Sequence, residues 1–471
     1  METNKSFRKV NNSQFSSDLS DSKISYKIGR SYFKIKIFDK SEYLVKYPKF
    51  LFSNLKNRIK KVLLDNIVYC RTAPISLFSN PGIFYQTSKP IFKSFIDYGL
   101  IKDLPRVYEI TKKECPKFSK LNVNGIIFQN QNHTKRLFSK NKCSNKKVIL
   151  SISFGKDSLL SYGLLKEIGI DCHLVFINDM GEYNPNELKL KEKLIKEFSK
   201  DQQEKVIILL DETDNIFRNR SIKYNIEEFD GTNAMLAFSL ELVPIAYHFR
   251  TKYIAFGNEK NLDDFFINGK KIKIYPSYDQ SSIYIKKKNY YLEKLTNNNI
   301  QVISVVKPIY NIAEMKILCH RYPYLLKYVM SCSSKRLRNH RWCYSCPMCA
   351  KAFLYTAAVN CNPKEVGFER SLFEKKHKEL YPLLASKIER IYEKPKQVRD
   401  EQLLAFLLAY RNGYKGALID MFKKLHLKEA KKREKELRKK FFGIHSALTI
   451  PKEFRNKILS IFKEELSSLI K

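Results

Sequence analysis

The feature that most constrains this chain is a short run, Ser153-Phe154-Gly155-Lys156-Asp157-Ser158, that lies between a strand pattern and a helix pattern. Val148–Ile152, just before it, is apolar and predicts a buried strand, and Ser158–Ile168 has helical spacing. A helix N-terminus offers unpaired N–H groups and the positive end of a dipole, which together attract anions. Gly155 lets the backbone approach such an anion closely. The run therefore predicts a phosphate-binding loop.

The polar side chains of this run suit such a site. Ser153 and Ser158 can donate hydroxyl hydrogen bonds, and Lys156 can supply a positive charge. Asp157 fits beside a phosphate only where it holds a magnesium ion or caps the helix. The spacings of a Walker A motif and of a dinucleotide-binding glycine motif are both absent. The alternative interpretation is a strand-to-helix turn with an aspartate cap.

Strand and helix patterns continue to alternate after this run. The predicted strands are Val148–Ile152, Cys172–Ile177, Val206–Leu210, Tyr253–Phe256 and Gln301–Val305. The predicted helices between them are Ser158–Ile168, Asn186–Asp201 and Thr232–Phe249. Such alternation predicts an α/β fold with a doubly wound parallel sheet that helices cover on both faces.

Pattern and composition divide the 471 residues into five segments. Residues 1–22 are polar and predict a disordered lead-in, and 23–145 predict a separate N-terminal α+β domain. Residues 146–330 form the predicted phosphate-loop domain, 331–375 a four-cysteine zinc segment, and 376–471 a helical, basic C-terminal region. Neither a secretory signal nor an apolar run near the ~18 residues of a membrane span is visible, so we expect a cytoplasmic protein.

Four of the ten cysteines, Cys332, Cys343, Cys346 and Cys349, form a C-x10-C-x2-C-x2-C array. The two C-x2-C steps let one turn present three thiolates to a single ion, and Cys332 supplies the fourth. Four thiolates suit a closed, tetrahedral zinc site that stabilises the fold. Buried free thiols and an iron–sulfur cluster are the alternatives.

The chain carries 87 Lys and Arg residues against 48 Asp and Glu residues, for a formal net charge of +39. A positive charge of this size attracts anions such as ATP, a nucleotide sugar or RNA. The basic residues are spread along a chain that is also rich in asparagine and isoleucine, as AT-rich codon usage would produce. The charge by itself does not establish a nucleic-acid-binding protein.

The run from Ser153 to Ser158 resembles the S-x-G-x-D-S pyrophosphate loop of the PP-loop (N-type) ATP pyrophosphatase superfamily. Phe154 replaces the first glycine of the commoner S-G-G form, so we expect its side chain to point away from the phosphates. The resemblance implies a HUP-like sheet that binds ATP and Mg²⁺ at the carboxyl ends of its strands. It assigns Lys156, Asp157 and Ser158 to catalysis, and these three with Ser153 and Gly155 to ATP binding.

Superfamily members line the nucleotide pocket with residues from three further places. The end of the second strand falls here at Asn178-Asp179, which makes Asp179 a candidate. The long helix opens with Asp230-Gly231-Thr232-Asn233, where Asn233 is a candidate. Gly257, Asn258 and Glu259 follow the fourth strand. Ordinary caps and turns are the alternative interpretation of all three.

A pyrophosphate loop followed by a cysteine array is similar to two families, QueC (7-cyano-7-deazaguanine synthase) and MurL (UDP-N-acetylmuramoyl-L-alanyl-L-glutamate epimerase). The string SCSSKRLRNHRWCYSCPMCAKAFLYTAA resembles MurL more, and so does EVGFERSLFE after it. SVVKPIYNIAEMKIL, before the cysteines, has the shape of a MurL segment and singles out Ser304, Pro308 and Glu314. The resemblance covers residues 148 to 375.

The MurL resemblance implies cleavage of ATP to AMP and pyrophosphate, with adenylation of the terminal L-Glu of UDP-N-acetylmuramoyl-L-Ala-L-Glu and its epimerisation for peptidoglycan precursors. Adenylation removes the charge of a carboxylate and makes the adjacent proton more acidic, so a base and an acid can exchange it. Glu314, His248, His320 and His340 are candidates for that pair.

Two alternative functions remain open at this point. One is a QueC-like or tRNA-modifying enzyme that acts on a deazaguanine or RNA base, and the other is a nucleotide-binding protein without turnover. The expected partners are ATP and an anionic small molecule or nucleotide sugar, with RNA as the alternative.

Overall fold

The computed structural model describes residues 23–77, 82–111, 125–131, 143–179, 184–218, 229, 231–297 and 299–470. The predicted lead-in at 1–22 and Asp230 lie outside these ranges. The strands are β1 (Lys23–Ile28), β2 (Tyr32–Ile37), β3 (Ser41–Lys46), β4 (Ile83–Ser88), β5 (Ile126–Asn130), β6 (Ser144–Ser151), β7 (Asp171–Asn178), β8 (Val206–Asp211), β9 (Thr251–Ala255), β10 (Phe266–Ile267), β11 (Lys273–Ile274) and β12 (Gln301–Ile303). The helices are α1 (Lys49–Ser53), α2 (Asn57–Thr72), α3 (Lys93–Thr111), α4 (Lys156–Glu167), α5 (Pro185–Asp201), α6 (Ala234–Phe249), α7 (Ser282–Thr296), α8 (Asn311–Arg321), α9 (Pro347–Ala358), α10 (Lys396–Arg411), α11 (Ala417–Leu425), α12 (Leu427–Phe441) and α13 (Lys452–Ile470).

Ten strands form one mixed, mostly parallel sheet in the order β12-β9-β6-β7-β8-β3-β2-β1-β4-β5. The five strands from β12 to β8 are parallel to one another. The next three, β3, β2 and β1, are antiparallel, and β4 and β5 then run parallel to β1. The predicted α/β class is confirmed, and each of the five strands predicted after residue 147 has a counterpart in the sheet.

Helices cover both faces of the sheet because its central strands are apolar on both sides. Leu150 of β6 and Leu174 of β7 face a core built with α4, α5 and the helices from α8 onwards. Their neighbours Ile149 and Val175 face a second core built with α2, α3, α6 and α7. Successive side chains of a strand point to opposite faces, so each strand contributes to both cores.

The N-terminal segment, predicted as a separate domain at 23–145, shares this sheet with the middle of the chain. Val45 of β3 pairs with Asp211 of β8 in an antiparallel ladder. Arg71 of α2 is buried and ion-pairs with Asp211 at 2.5 Å and with Asp214 at 2.6 Å. These contacts join residues more than 130 positions apart, which local sequence patterns do not reveal.

The parallel strands contain one place where the chain changes direction across the sheet. From β6 the chain moves to β7 and then β8 on one side, whereas β9 and β12 lie on the other side of β6. The loops that follow β6 and β9 therefore leave the same edge and diverge, which opens a crevice between them. In open α/β sheets this is where ligands bind.

The C-terminal helices pack against α8 and α9 in the first core. Helix α12, the most basic of them, buries Ala430, Leu437 and Phe441 and turns charged side chains outward. Within the ranges that the structure describes, no helix combines the length and apolar character that crossing a membrane requires.

Candidate functional site

The 153–158 loop connects β6 to α4 and is held by its own serines. The Ser153 N–H donates to Ser158 Oγ at 3.2 Å, and Ser158 Oγ donates to the carbonyl of Gly155 at 3.0 Å. Gly155 caps α4 in an extended conformation, and α4 begins at Lys156. The loop thus folds tightly around the Ser158 hydroxyl, and the first N–H groups of α4 are at its centre.

Phe154 occupies a left-handed conformation with a φ of 62°. Its ring is fully buried and meets Phe198 of α5 edge-on, with the ring centroids 5.6 Å apart. Its carbonyl accepts a hydrogen bond from the Met330 N–H at 2.7 Å. The side chain that replaces the usual glycine therefore lies in the core and leaves the anion face of the loop clear.

Gly257, after β9, lies directly against the start of α4. A Cβ at this position would lie 2.8 Å from Asp157 Cβ and 2.9 Å from the Ser158 nitrogen, too close for any real contact. The Ser304 hydroxyl donates to the Asn258 carbonyl at 2.8 Å, and Lys307 Nζ donates to the Glu259 carbonyl at 3.0 Å. The segment after β12 thus holds the loop after β9 against the 153–158 loop.

Gly257→Ala is expected to lower the free energy of unfolding by about 1–3 kcal/mol, because backbone atoms of α4 must shift to admit a methyl group. Gly269→Ala is the matched control, since a Cβ there meets nothing within 4 Å. Chemical denaturation of the two variants checks the prediction. Equal stability of both would show that the close approach at Gly257 does not constrain the site.

The two loops open into a cavity of about 640 Å³, within the usual size of ligand pockets. It is lined by most of the predicted site residues, namely Ser153, Gly155, Lys156, Asp157, Ser158, Asp179, Gly257, Asn258 and Glu259. Asn233 is directed elsewhere. Its amide donates to the Ile96 carbonyl at 3.1 Å and accepts from the Tyr284 hydroxyl at 2.7 Å, so it ties α6 to α3 and α7.

Charged groups are concentrated beside the 153–158 loop. Lys156 Nζ donates to Asp157 and to Glu314 Oε2, the latter at 2.7 Å. Burial lowers the pKa of Lys156, but the carboxylates of Asp157 and Glu314 outweigh it and raise that pKa above its ordinary value. Burial raises the pKa of Glu314 well above its ordinary range. Its Oε1 is buried without a hydrogen-bond partner among the described residues.

Two lysines at the cavity, Lys191 and Lys351, were not predicted because no sequence motif marks them. Lys191 of α5 is buried and donates to the Ser153 carbonyl and to the Met330 carbonyl, the latter at 2.7 Å. Burial lowers the pKa of Lys191 to about 8. Lys351 of α9 lies two residues after Cys349 and lines the same cavity. Both stand in ordinary helical patterns, so only their placement in the fold distinguishes them.

The candidate proton-transfer residues separate clearly in space. His248 belongs to a small cavity near the amino end of β9. His320 Nε2 lies 3.0 Å from the Val359 carbonyl, and His340 is exposed next to Glu369. Glu314, in contrast, contacts Lys156 in the 153–158 loop.

The four cysteines predicted as metal ligands come together as one cluster. Their Sγ atoms all lie within 4.8 Å of one another. Cys332 to Cys346 measures 3.7 Å, Cys343 to Cys349 measures 3.8 Å, and Cys346 to Cys349 measures 3.5 Å. Four sulfurs around a zinc ion at ~2.3 Å lie ~3.8 Å apart in a tetrahedron. The donor set and its spacing therefore fit, and the cluster could hold a metal such as zinc.

This cluster adjoins the cavity through both chain segments that form it. Met330 and Ser331, just before Cys332, line the cavity, and the Met330 N–H holds the Phe154 carbonyl. Cys349 lies in the first turn of α9, whose next turns present Lys351 and Tyr355 to the cavity. A metal in the cluster would thus fix one wall of the cavity.

Comparison with protein-family models finds no match for this chain, and a search of curated proteins finds no match either. The molecule is a mixed α/β protein in which the N-terminus of α4 opens into a cavity at the crevice of the sheet. Beside it lies a four-cysteine cluster that could bind a metal.

Proposed function

We propose that this chain is a PP-loop ATP pyrophosphatase that cleaves ATP to AMP and pyrophosphate in order to adenylate a substrate carboxylate. The observation that carries the proposal is the 153–158 loop, which opens α4 toward a cavity at the crevice between β6 and β9. Backbone N–H groups, a lysine and two hydroxyls meet there, as binding of a polyphosphate requires. The buried Phe154 ring supports it too, since it leaves the loop open.

In this proposal each loop residue has a defined task. The first N–H groups of α4 and the hydroxyls of Ser153 and Ser158 bind the β- and γ-phosphates. Lys156 exchanges part of its ion pairing with Asp157 and Glu314 for the phosphates. A carboxylate oxygen of the acceptor then attacks the α-phosphorus, the bond from that phosphorus to the bridging oxygen breaks, and pyrophosphate leaves toward the loop.

Asp157 and Glu259 are the residues that would hold magnesium. Both residues line the cavity beside the loop, and carboxylate oxygens are the ligands that Mg²⁺ prefers. A bound magnesium ion neutralises the charge of the phosphates. Burial raises the pKa of Glu259, an effect that the carboxylate of Asp157 reinforces and that Lys156 and Lys351 oppose.

For the acceptor we propose a MurL-like reaction, epimerisation of the terminal L-Glu of UDP-N-acetylmuramoyl-L-Ala-L-Glu, in the cytoplasm. The position of Glu314 supports it, because this residue of the MurL-like segment contacts Lys156, and Ser304 and Lys307 of the same segment hold the loop after β9. A QueC-like or RNA-base-modifying reaction uses the same ATP chemistry, and the choice between them depends on the acceptor.

Release of AMP and pyrophosphate from ATP and magnesium tests the proposal directly. UDP-N-acetylmuramoyl-L-alanyl-L-glutamate, 7-carboxy-7-deazaguanine and bulk tRNA are added to separate reactions. We expect stimulation by the muramoyl dipeptide, with D-glutamate in the hydrolysed product. Stimulation by the deazaguanine or tRNA alone would instead place the chain among the base-modifying enzymes. If no reaction releases pyrophosphate, ATP binding is measured separately by titration of the protein with ATP and magnesium. Failure to bind ATP would reject the pyrophosphatase itself.

A further inference from the structure

A second cavity, of about 250 Å³, adjoins the one at the 153–158 loop. It lies between the loop after β9, the start of α8, one face of α9 and the first turns of α10. Its walls include Asn311, Arg390, Val398 and Gln402, and it shares Glu259, Lys351, Tyr355 and Tyr392 with the larger cavity. The two cavities therefore form adjoining compartments, with the shared residues at their junction.

Lys351 lies at this junction and lines both cavities. It makes no ion pair or hydrogen bond with any residue in the ranges that the structure describes. Its charge instead acts at longer range on Asp157 and Glu259 of the larger cavity and on Glu393 and Glu401 of the smaller one. A half-buried lysine in this position can accept an anionic group from a ligand.

Asn311 provides the second, independent sign of a ligand. This residue is about 99% buried and is among those that line the smaller cavity, and its Oδ1 has no hydrogen-bond partner in the described part of the chain. A buried polar atom left unpaired costs free energy, so such atoms are normally satisfied by water or a ligand. A carbonyl oxygen accepts hydrogen bonds only, so the group that satisfies it must carry an N–H or O–H.

We propose that the smaller cavity binds the reacting end of the acceptor of the adenylation, a carboxylic acid group with an N–H or O–H donor close to it. Its carboxylate lies at Lys351, facing the α-phosphate across the junction, and its donor group bonds to Asn311 Oδ1. Met348 and Tyr392 cover the acceptor's apolar part. This inference rests on the proposed ATP chemistry, and it deepens that function by assigning the acceptor its own residues.

Stable mimics of an acyl adenylate test the site without knowledge of the natural acceptor. Calorimetry compares three compounds, adenosine 5′-sulfamate and its N-glutamyl and N-glutaryl derivatives, of which the glutaryl form lacks the amino group. We expect the glutamyl derivative to bind at least about tenfold more tightly than the bare sulfamate, and more tightly than the glutaryl derivative. The proteins are the wild type, Lys351→Gln, Val398→Trp and, as the charge control, the exposed Lys428→Gln.

The Val398→Trp substitution fills the smaller cavity and should abolish the gain in affinity that the acyl group gives. The affinity for the bare sulfamate should stay within about threefold of the wild-type value. Lys351→Gln should reduce the same gain, and Lys428→Gln should retain it. If no acyl group improves binding, or if the gain survives in both cavity variants, the acceptor site is rejected. If ATP and the bare sulfamate also fail to bind the wild type, the failure lies in the proposed function itself.

Discussion

Asp157→Asn is expected to lower acceptor-dependent pyrophosphate release by at least about 100-fold while the protein stays folded. Asp157 is the acidic member of the 153–158 loop. Burial raises the pKa of its carboxyl, but the charge of Lys156 and the other polar neighbours of Asp157 together outweigh burial and keep that pKa below the ordinary value. The substitution keeps the shape of the side chain and removes the charge that we assign to magnesium binding. Lys156 retains Glu314 as a partner, so the loop keeps one of its two ion pairs.

The control for this variant is Asp171→Asn, which removes an exposed carboxylate at the start of β7. It should release pyrophosphate at the wild-type rate, and both variants should unfold within a few degrees of the wild type. Turnover by Asp157→Asn at the wild-type rate would remove the loop carboxylate from the mechanism. The magnesium dependence of the residual activity gives a second measure, since a lost ligand raises the concentration that half-saturates the enzyme.

Cys346→Ser is expected to lower zinc content and stability together, with a loss of more than about 4 kcal/mol in the free energy of unfolding. Cys346 Sγ lies 3.5 Å from Cys349 Sγ and 3.7 Å from Cys332 Sγ, so its removal opens one corner of the cluster. The remaining three thiolates cannot close a tetrahedral site. Metal analysis of the purified protein and its thermal unfolding curve check the two effects on the same sample.

The half-buried Cys143, outside the cluster, is the matched control. Cys143→Ser should keep its zinc and its stability. A Cys346→Ser protein that is stable and free of zinc would contradict a structural metal. Because α9 carries both Cys349 and Lys351, loss of metal should also weaken nucleotide binding before the whole chain unfolds. Nucleotide titration of protein treated with a chelator measures that coupling.

Local patterns predicted the elements on either side of the 153–158 loop and the cysteine cluster. The apolar run Val148–Ile152 and the helical spacing after Ser158 correspond to β6 and α4, because each pattern reflects burial within a single element. The cysteine array came together as predicted, since two C-x2-C steps confine three sulfurs to one turn. Such features depend on residues that are neighbours in the sequence.

Contacts between segments that are distant in the sequence could not be predicted from local patterns. Asn233 has the residue type and position of a pocket residue, yet Ile96 and Tyr284 occupy its amide. The alternating strand and helix patterns after residue 147 also gave no sign that the sheet would continue from β8 into β3 of the N-terminal segment. Hydrogen-bond partners 50 to 170 residues away select among conformations that the local sequence permits equally, so they become visible only when the chain is folded.

The sequence by itself determined the strand, the loop and the helix of the proposed anion site, and the four cysteines of the cluster that could hold a metal. Only the tertiary structure decided which lysines meet at the cavity. The sequence around Lys191 and Lys351 shows no motif, and the two residues come to the cavity because α5 and α9 pack beside the loop. It also decided that a second compartment adjoins the first. Periodicity records which face of an element is buried, but the shape of a cavity depends on how several elements pack together.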